Sequence, residues 1–112
     1  MLREFLLGFM KIHILHHAVH DAVYGSALIE ELKRHGYDIG PGTIYPILHG
    51  MERAGYLVRD DRLVAGKIRK YYTATPAGVM LLEEVRPKVA ELVSEVVVEN
   101  GPAHIAPPDN QL

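Results

Sequence analysis

The sequence predicts a mainly α-helical protein with one small β-hairpin, an α+β fold. Four stretches place apolar residues at the spacings of three and four that mark one side of a helix. Directly after Gly55 this pattern changes to the alternation that is typical of β-strands. The 112 residues are enough for one domain with a modest buried core.

The first helix is predicted over residues 2–19, where apolar side chains cover more than one side of the helix. A helix of this kind is either buried on several sides or shared with another subunit. We therefore expect it to form part of a homodimer interface, through Phe5, Phe9 and Ile12.

Four histidines lie on this helix: His13, His16, His17 and His20. At about 100° per residue they fall within an arc of roughly 100°, and the pairs 13/17 and 16/20 are spaced to share a metal ion. One interpretation is a site at which zinc, cadmium, nickel or manganese acts as an effector, completed by Asp21 or by a partner chain. The alternatives are a polar margin of packed rings beside a dimer interface, and a pH sensor that protonates near the ordinary histidine pKa.

The second helix is predicted from Val23 to His35, and Gly36 suits the residue that ends it. Its apolar residues at helical spacing, which mark the core side, are Leu28, Ile29 and Leu32.

The third helix is predicted to begin at Pro41, a residue suited to a first helical position, and to end at Gly55. Its buried stripe consists of Ile44, Leu48 and Met51. Its other side carries side chains able to contact phosphates and base edges, namely Thr43, Tyr45, His49 and Arg53. Two short helices joined by a tight glycine-containing connection form a helix-turn-helix, whose second helix enters the major groove of DNA.

A hairpin is predicted directly after this recognition helix, with strands over residues 56–59 and 67–73 and a polar turn over residues 60–66. A hairpin in this position is the wing of a winged helix-turn-helix. Lys67, Arg69 and Lys70 are spaced to reach phosphates beside the groove that the helix reads. A solvated basic hairpin is the alternative, but the preceding helices favour contact with DNA.

The last helix is predicted to follow Thr75 as its cap, with Pro76 in the first position. Pro87 is expected to kink or restart it, and residues 100–102 to end it. Its apolar seam has coiled-coil-like spacing and is assigned to a partner subunit; the seam consists of Leu82, Val85, Val89, Leu92 and Val96.

The expected organisation has three parts. Residues 1–75 form the winged helix-turn-helix domain together with the N-terminal helix, residues 76–100 form a C-terminal dimerisation helix, and residues 101–112 form a flexible tail.

Composition and charge exclude several classes of protein. The absence of cysteine excludes disulfides, thiolate metal sites and a cysteine nucleophile. The apolar run near the N-terminus is too short to span a bilayer, so a cytoplasmic protein with no membrane partner is expected. The net charge of -2 divides into 0 over residues 1–23, +2 over residues 24–75 and -4 over residues 76–112. This division fits a DNA-facing centre with a solvated accessory helix.

Five segments follow one another in a specific order: Tyr24-Gly25, residues 41–48 (PGTIYPIL), residues 52–57 (ERAGYL), residues 69–73 (RKYYT) and residues 75–78 (TPAG). In this combination, over roughly residues 5–86, the chain resembles the PadR family of bacterial transcriptional regulators. The resemblance implies a winged helix-turn-helix homodimer that usually represses by binding a palindromic operator. It also implies that the first and last helices form the dimer, as in the smaller subfamily with a single short C-terminal helix.

The resemblance further implies which residues contact DNA: Tyr24, Thr43, Tyr45, Pro46 and His49, with Lys67, Arg69 and Lys70 on the wing. Gly40 stands where the family often has Ser or Thr as the cap of the recognition helix, so this helix is expected to start more loosely. The four histidines are not part of the family pattern. Members of the family respond to varied effectors, among them phenolic compounds and flat aromatic drugs.

The sequence therefore predicts a sequence-specific DNA-binding regulator and not an enzyme. We expect a homodimeric repressor whose operator binding is tuned by a small molecule or a divalent metal, with no required cofactor. One alternative is a protein-interaction module that keeps the winged scaffold without reading DNA. A histidine-based metal-dependent hydrolase is disfavoured, because no acidic general base forms a motif with the histidines.

Overall fold

The computed structural model describes residues 1–98, in which helices and a three-stranded antiparallel sheet alternate. In chain order the elements are α1 (Leu2–His20), β1 (Val23–Tyr24), α2 (Gly25–Arg34), α3 (Pro41–Arg53), β2 (Leu57–Val64), β3 (Lys67–Ala74) and α4 (Pro76–Val93), followed by a π-helical segment, Ser94–Val98. The chain divides into one unit that ends at Leu82 and a second that begins at Glu83. This architecture confirms the predicted α+β class. The predicted helix end at residues 100–102 and the predicted tail over residues 101–112 lie outside the described residues.

The core of the first unit brings together α1, α2, α3 and the sheet. The side chains predicted for the inner side of α3 are buried, and so are Leu28 and Leu32 of α2. They pack with apolar residues of the other elements: Met10, Ile14, Leu15, Ala18, Leu57, Tyr72 and Leu82. Because α3 is held by its inner side, its opposite side remains available to a partner.

Glycines follow the ends of two helices. Gly36 ends α2 before the connection to α3, and Gly55 ends α3 just before the hairpin. Gly36 and Gly55 have φ angles of 91° and 87°, a left-handed conformation that glycine adopts without the steric cost of a Cβ. After α2, the Tyr37 N–H donates to the Leu32 carbonyl and the Gly36 N–H donates to the Lys33 carbonyl, both at 3.0 Å. These two bonds form the Schellman arrangement that satisfies the last helical carbonyls. The predicted helix ends are therefore confirmed.

The start of α3 is held by backbone alone. Gly40 precedes the helix in an extended conformation, and within the described residues no side chain caps it. The Gly40 carbonyl accepts hydrogen bonds from the N–H groups of Thr43 and Ile44, at 3.0 and 3.1 Å. The missing cap agrees with the sequence analysis, and the looser start expected from it stays a prediction.

The prediction that the second helix begins at Val23 is wrong. Val23 and Tyr24 form β1, which pairs antiparallel with β3 through the partners Val23↔Tyr72 and Tyr24↔Tyr71. The helix then begins at Gly25. The reason is a pairing with residues about fifty positions further along the chain, which agrees with the strand preference of a β-branched and an aromatic residue.

The predicted polar turn over residues 60–66 is also wrong for most of its length. Strand β2 continues to Val64, which pairs with Lys67, so that only Ala65 and Gly66 form the turn. Both turn residues have positive φ angles, 50° and 79°, as a two-residue type I′ hairpin turn requires. Pairing with β3 along the whole strand explains why a charged stretch that reads locally as a turn is extended.

Thr75, which follows the last strand of the hairpin, connects the end of the hairpin to the end of α3 by hydrogen bonds. The Thr75 hydroxyl donates to the Gly55 carbonyl at 2.6 Å and accepts from the Gly78 N–H at 3.1 Å. The Thr75 N–H donates to the Tyr56 carbonyl at 3.1 Å. These contacts, which we call the Thr75 clamp, confirm Thr75 as the cap of α4.

Gly78 allows a close backbone approach beside the clamp. A Cβ atom at this position would lie 2.3 Å from the Tyr56 carbonyl oxygen. This is too short for a contact between two non-bonded atoms, so a residue with a side chain would clash with the backbone. The close contact explains why the first turn of α4 contains glycine.

Helix α4 runs unbroken through Pro87 to Val93. The predicted restart at Pro87 is therefore wrong, and the alternative prediction of a kink stays a prediction. The proline removes one helical hydrogen bond, but Pro87 and Glu83 are exposed, so water can satisfy the carbonyl that loses its partner. In the second unit, Leu92 and Val96 of the predicted seam are exposed, while Val85 and Val89 are half-buried. None of the helices in residues 1–98 is both long and apolar enough to cross a membrane.

Candidate nucleic-acid interface

A groove of about 360 Å³ lies where the start of α2, the outer side of α3 and strand β3 meet. We call it the α3–wing groove. Its lining residues are Tyr24, Gly25, Ser26, Tyr45, His49, Ile68, Arg69 and Lys70. Five of the residues predicted to contact DNA, contributed by three separate elements, are thus brought together in one concave surface.

Two arginines lie flat on tyrosine rings on the outer face of the sheet. Arg62 and Arg69 are direct partners across β2 and β3, so their side chains leave the sheet on the same side. The Arg62 guanidinium lies 4.5 Å from the centroid of the Tyr71 ring, and that of Arg69 lies 4.5 Å from the centroid of the Tyr24 ring. The two rings contact each other edge to face at 5.1 Å. This stacking orients both cations. Because Arg62 is also paired with Asp60, Arg69 is the one of the two whose charge is left, within the described residues, to favour an anion such as phosphate.

The absence of a side chain at Gly25 leaves room for the Tyr45 ring in the groove. A Cβ atom on Gly25 would lie 2.5 Å from the Tyr45 hydroxyl oxygen and 2.6 Å from Cζ. The tyrosine therefore occupies space that exists only because the first residue of α2 has no side chain. Helix α2 also begins here without a side-chain cap in the described residues, and helix starts attract anions.

The two strands of the hairpin differ in whether their cations are paired with carboxylates. On β2, Arg59 and Arg62 are paired with Asp61 and Asp60, at 3.3 and 3.0 Å. On β3, the three cations, Lys67, Arg69 and Lys70, are exposed and belong to none of the ion pairs formed within residues 1–98. The uncompensated positive charge of the wing thus lies on β3, on the three residues for which the sequence predicts phosphate contacts, and these contacts stay a prediction.

Four of the predicted contacts lie away from the α3–wing groove. Thr43 and Pro46 line a different groove, of about 510 Å³, on the side of α3 that faces α1. Arg53 is the last residue of α3 and is exposed. Lys67 follows the hairpin turn directly. The predicted DNA contacts of these four residues stay predictions.

Five residues of this surface were not predicted from the sequence: Gly25, Ser26 and Ile68 in the groove, and Arg62 and Tyr71 in the arginine–tyrosine stacks. Gly25 had a signal, because a glycine directly after a β-branched and an aromatic residue indicates a close approach of another group to the backbone. Arg62 had none, since it was assigned to a turn and its cross-strand partner was unknown.

The histidines of α1 form two groups. His13 and His17 lie beside His35, which directly follows α2, and one ring nitrogen of each lies within 4.8 Å of the others. The rings of His13 and His35 are stacked, with centroids 4.7 Å apart. His16 instead contacts the rings of His17 and His20, at 5.2 and 4.8 Å. The structure therefore brings together two of the four predicted ligands with a third that the sequence analysis did not consider, and leaves His16 and His20 outside this group.

Burial and mutual repulsion act in the same direction on this group. Burial first, and then the neighbouring His35, lower the pKa of both His13 and His17 below the ordinary value. Glu31 lies 3.6 Å from His17 and would by itself raise this pKa, but it also pairs with Arg34. The neutral imidazole is thus favoured at both positions near pH 7.

The family model described as "Transcriptional regulator PadR-like family" matches residues 14–84 of the chain. The chain belongs to the PadR-like family. A PadR-like protein is a transcriptional regulator, not an enzyme, and its winged-helix fold accounts for the arrangement of α2, α3 and the β2–β3 hairpin.

Three relatives illustrate the similarity. The PadR-like chain is 47% identical over 105 residues to "Transcriptional regulator Rv3488" of Mycobacterium tuberculosis, which covers 94% of this chain and 96% of the relative. The crystal structure of a PadR-like transcriptional regulator from Bacillus cereus matches with a TM-score of 0.78 at 28% identity, covering 88% of this chain and 99% of that one. The crystal structure of a PadR family regulator from Eggerthella lenta matches with a TM-score of 0.74 at 30% identity, covering 90% and 91%.

Proposed function

We propose that this PadR-like regulator is a homodimeric repressor that binds a palindromic operator in its own upstream DNA. In this proposal α3 enters the major groove and the wing contacts the adjacent phosphates. The partner is double-stranded DNA, so we place the protein in the cytoplasm.

The observation that supports operator binding best is the composition of the α3–wing groove. Tyr45 and His49 of α3 offer a hydroxyl and ring nitrogens that can contact base edges. Arg69 and Lys70 of β3 offer positive charge at the same groove, without a carboxylate partner in the described residues. Donors for bases beside cations for phosphates are what sequence-specific DNA binding requires.

Exposed apolar side chains support the homodimer. In the first unit, Phe5 and Phe9 of α1 are 54% and 43% exposed. In the second unit, Leu92, Val96, Val97 and Val98 are exposed. Apolar groups in such number mark a surface that a partner covers, and a second copy of the chain brings the same surfaces with it.

A small molecule or a divalent metal is the proposed effector, and the first unit offers one place for each. The groove of about 510 Å³ between α1 and α3 has an apolar wall and two cations, Arg3 and Lys11, which suits a flat organic anion. The histidine group suits a metal.

The test is binding to the protein's own upstream DNA, measured by fluorescence anisotropy against a scrambled duplex of equal length and composition. We expect at least 10³-fold tighter binding to the upstream DNA, and loss of this preference in Tyr45→Ala. Equal binding to both duplexes would contradict operator recognition and favour the alternative of a protein-interaction module.

The homodimer has a separate test by analytical ultracentrifugation. The wild type is expected to sediment as a dimer, and a Phe5→Ser, Phe9→Ser double variant is expected to shift toward monomer. A wild type that sediments as a monomer at micromolar concentration would contradict the proposed assembly.

A further inference from the structure

We propose that His13, His17 and His35 form a binding site for a zinc-like divalent metal that joins α1 to the end of α2. The site is defined by geometry in the folded chain and differs from the four-histidine set that the sequence suggests. One nitrogen from each imidazole lies within 4.8 Å of the other two, and in residues 1–98 this is the group of three that can hold a metal ion.

The backbone supplies two of the ligands in a favourable arrangement. His13 and His17 are one helical turn apart on α1, the i,i+4 spacing at which two histidines on a helix chelate one zinc ion. Two nitrogens bound to the same tetrahedral zinc at about 2.0–2.1 Å are roughly 3.4 Å apart. The widest nitrogen pair therefore has to close by at most about 1.4 Å, which rotation of half-buried and exposed imidazoles can provide.

The third ligand comes from the end of α2. His35 is the residue at which this helix ends, directly before the left-handed Gly36. Its ring stacks on that of His13, with an angle of 26° between the planes. Stacking places the two rings side by side, and a rotation of each imidazole about its side-chain torsions turns its in-plane nitrogen lone pair toward a shared metal ion.

Glu31 is placed to orient these rings. Its Oε1 atom lies 3.1 Å from Nε2 of His35 and 3.6 Å from Nε2 of His17, while its Oε2 atom pairs with Arg34. A carboxylate that accepts the second N–H of a ligating histidine fixes the ring and strengthens its bond to metal. Glu31 is thus a positioning residue that leaves three imidazole ligands and one open position for water.

The ligand set selects the class of metal. Imidazole nitrogens suit zinc, nickel and copper, whereas magnesium, calcium and manganese prefer oxygen ligands. Cobalt and cadmium can occupy the same kind of site. We therefore expect zinc to bind more tightly than manganese.

A metal at this position would act on the DNA-binding elements. It would fix α1 against α2, and the residues that follow His35 connect directly to α3. A change in the angle between these elements moves the recognition helix relative to the rest of the dimer. This regulatory effect rests on the proposed function, whereas metal binding itself does not.

The experiment titrates zinc chloride into metal-free protein by calorimetry, with circular dichroism to show that each variant is folded. The wild type is expected to bind one zinc ion per chain, and His35→Ala to bind at least 100-fold more weakly. His20→Ala, which removes a histidine of α1 outside the group, is the matched control and is expected to bind within twofold of the wild type. Failure of the wild type to bind zinc, or loss of binding in His20→Ala but not in His35→Ala, would overturn the site.

A second pair of variants tests the role of Glu31. Glu31→Gln is expected to weaken zinc binding by about 10–100-fold, while Glu30→Gln, its exposed neighbour, is expected to have no effect. Equal affinities in both variants would overturn the positioning role.

Regulation is tested by anisotropy on the upstream DNA with and without zinc. A change of at least fivefold in DNA affinity that is absent in His35→Ala supports the metal as an effector. Unchanged DNA affinity in zinc-loaded wild type would overturn the regulatory role while leaving the metal site intact. Zinc binding without any preference for the upstream DNA would instead refute the proposed function alone.

Discussion

The charge of Arg69 offers the sharpest test of the proposal that the wing contacts DNA. Its guanidinium is held over Tyr24 and has no carboxylate partner among residues 1–98, so it is ready to neutralise a phosphate. Each phosphate contact contributes about -0.9 to the slope of log affinity against log salt. In a homodimer, Arg69→Ala removes two such contacts and is expected to reduce the steepness of the slope by about 1.8.

This change can be measured directly. Between about 50 and 200 mM salt the wild-type dimer is expected to lose roughly 12-fold more affinity than Arg69→Ala, since fourfold in salt raised to the power 1.8 is about 12. A protein that binds as a monomer would show only about 3.5-fold, from the power 0.9. The assay is fluorescence anisotropy with the upstream duplex over a series of salt concentrations.

The matched control is Lys88→Ala, which removes an equal charge from an exposed position of α4. It is expected to leave the slope within about 0.3 of the wild type, because Lys88 is not among the residues that line the α3–wing groove. Equal slopes for the wild type and Arg69→Ala would refute the assignment of Arg69 to a phosphate.

Three further substitutions have definite expected outcomes. Gly25→Ala places a Cβ 2.5 Å from the tip of Tyr45, a flexible side chain that can move; we expect thermal unfolding to show a loss of less than about 1.5 kcal/mol, with DNA affinity reduced at least tenfold. Gly78→Ala places a Cβ 2.3 Å from a backbone carbonyl, which cannot move as easily; urea unfolding is expected to show a loss of about 3 kcal/mol or more. Ala65→Asn is expected to raise the free energy of unfolding by about 0.5–1 kcal/mol, because asparagine tolerates the positive φ of this turn residue better than alanine.

Each of these outcomes has a counterpart that would contradict it. Unchanged DNA affinity in Gly25→Ala would show that the position of Tyr45 does not matter for binding. A loss below about 1 kcal/mol in Gly78→Ala would show that the backbone beside the Thr75 clamp can shift. A lower melting temperature in Ala65→Asn would mean that the turn is held by contacts other than its own backbone conformation.

The helices could be predicted from the sequence because their signals are local. Gly36 and Gly55 end helices by their own conformational freedom, and the stripe of Ile44, Leu48 and Met51 repeats at helical spacing. Thr75 followed by Pro76 marks a helix start without reference to any other part of the chain. Such signals depend on neighbours within four residues, which a single sequence contains.

The parts that were missed depend on contacts between distant residues. Val23 and Tyr24 become a strand only because β3 pairs with them, and Asp60 to Val64 stay extended for the same reason. The arginine–tyrosine stacks follow from this register and could not be found before it was known. His35 joins His13 and His17 only through the packing of α2 against α1, a relation that helical spacing along one helix cannot express.

Because of the Thr75 clamp, the position of the helices does not depend on the length of the hairpin. The hairpin leaves the body of the protein after Gly55 and returns at Thr75, and these two points are joined by a hydrogen bond. Adding or removing two residues on each side of the Ala65–Gly66 turn would keep the pairing register, the alternation of faces and the hydrogen-bonded pair that closes the turn. The clamp would meanwhile hold the end of α3 and the start of α4 where they are. The length of the wing, and with it the proposed reach toward DNA phosphates, can therefore change in evolution or by design without moving α3 or the start of α4.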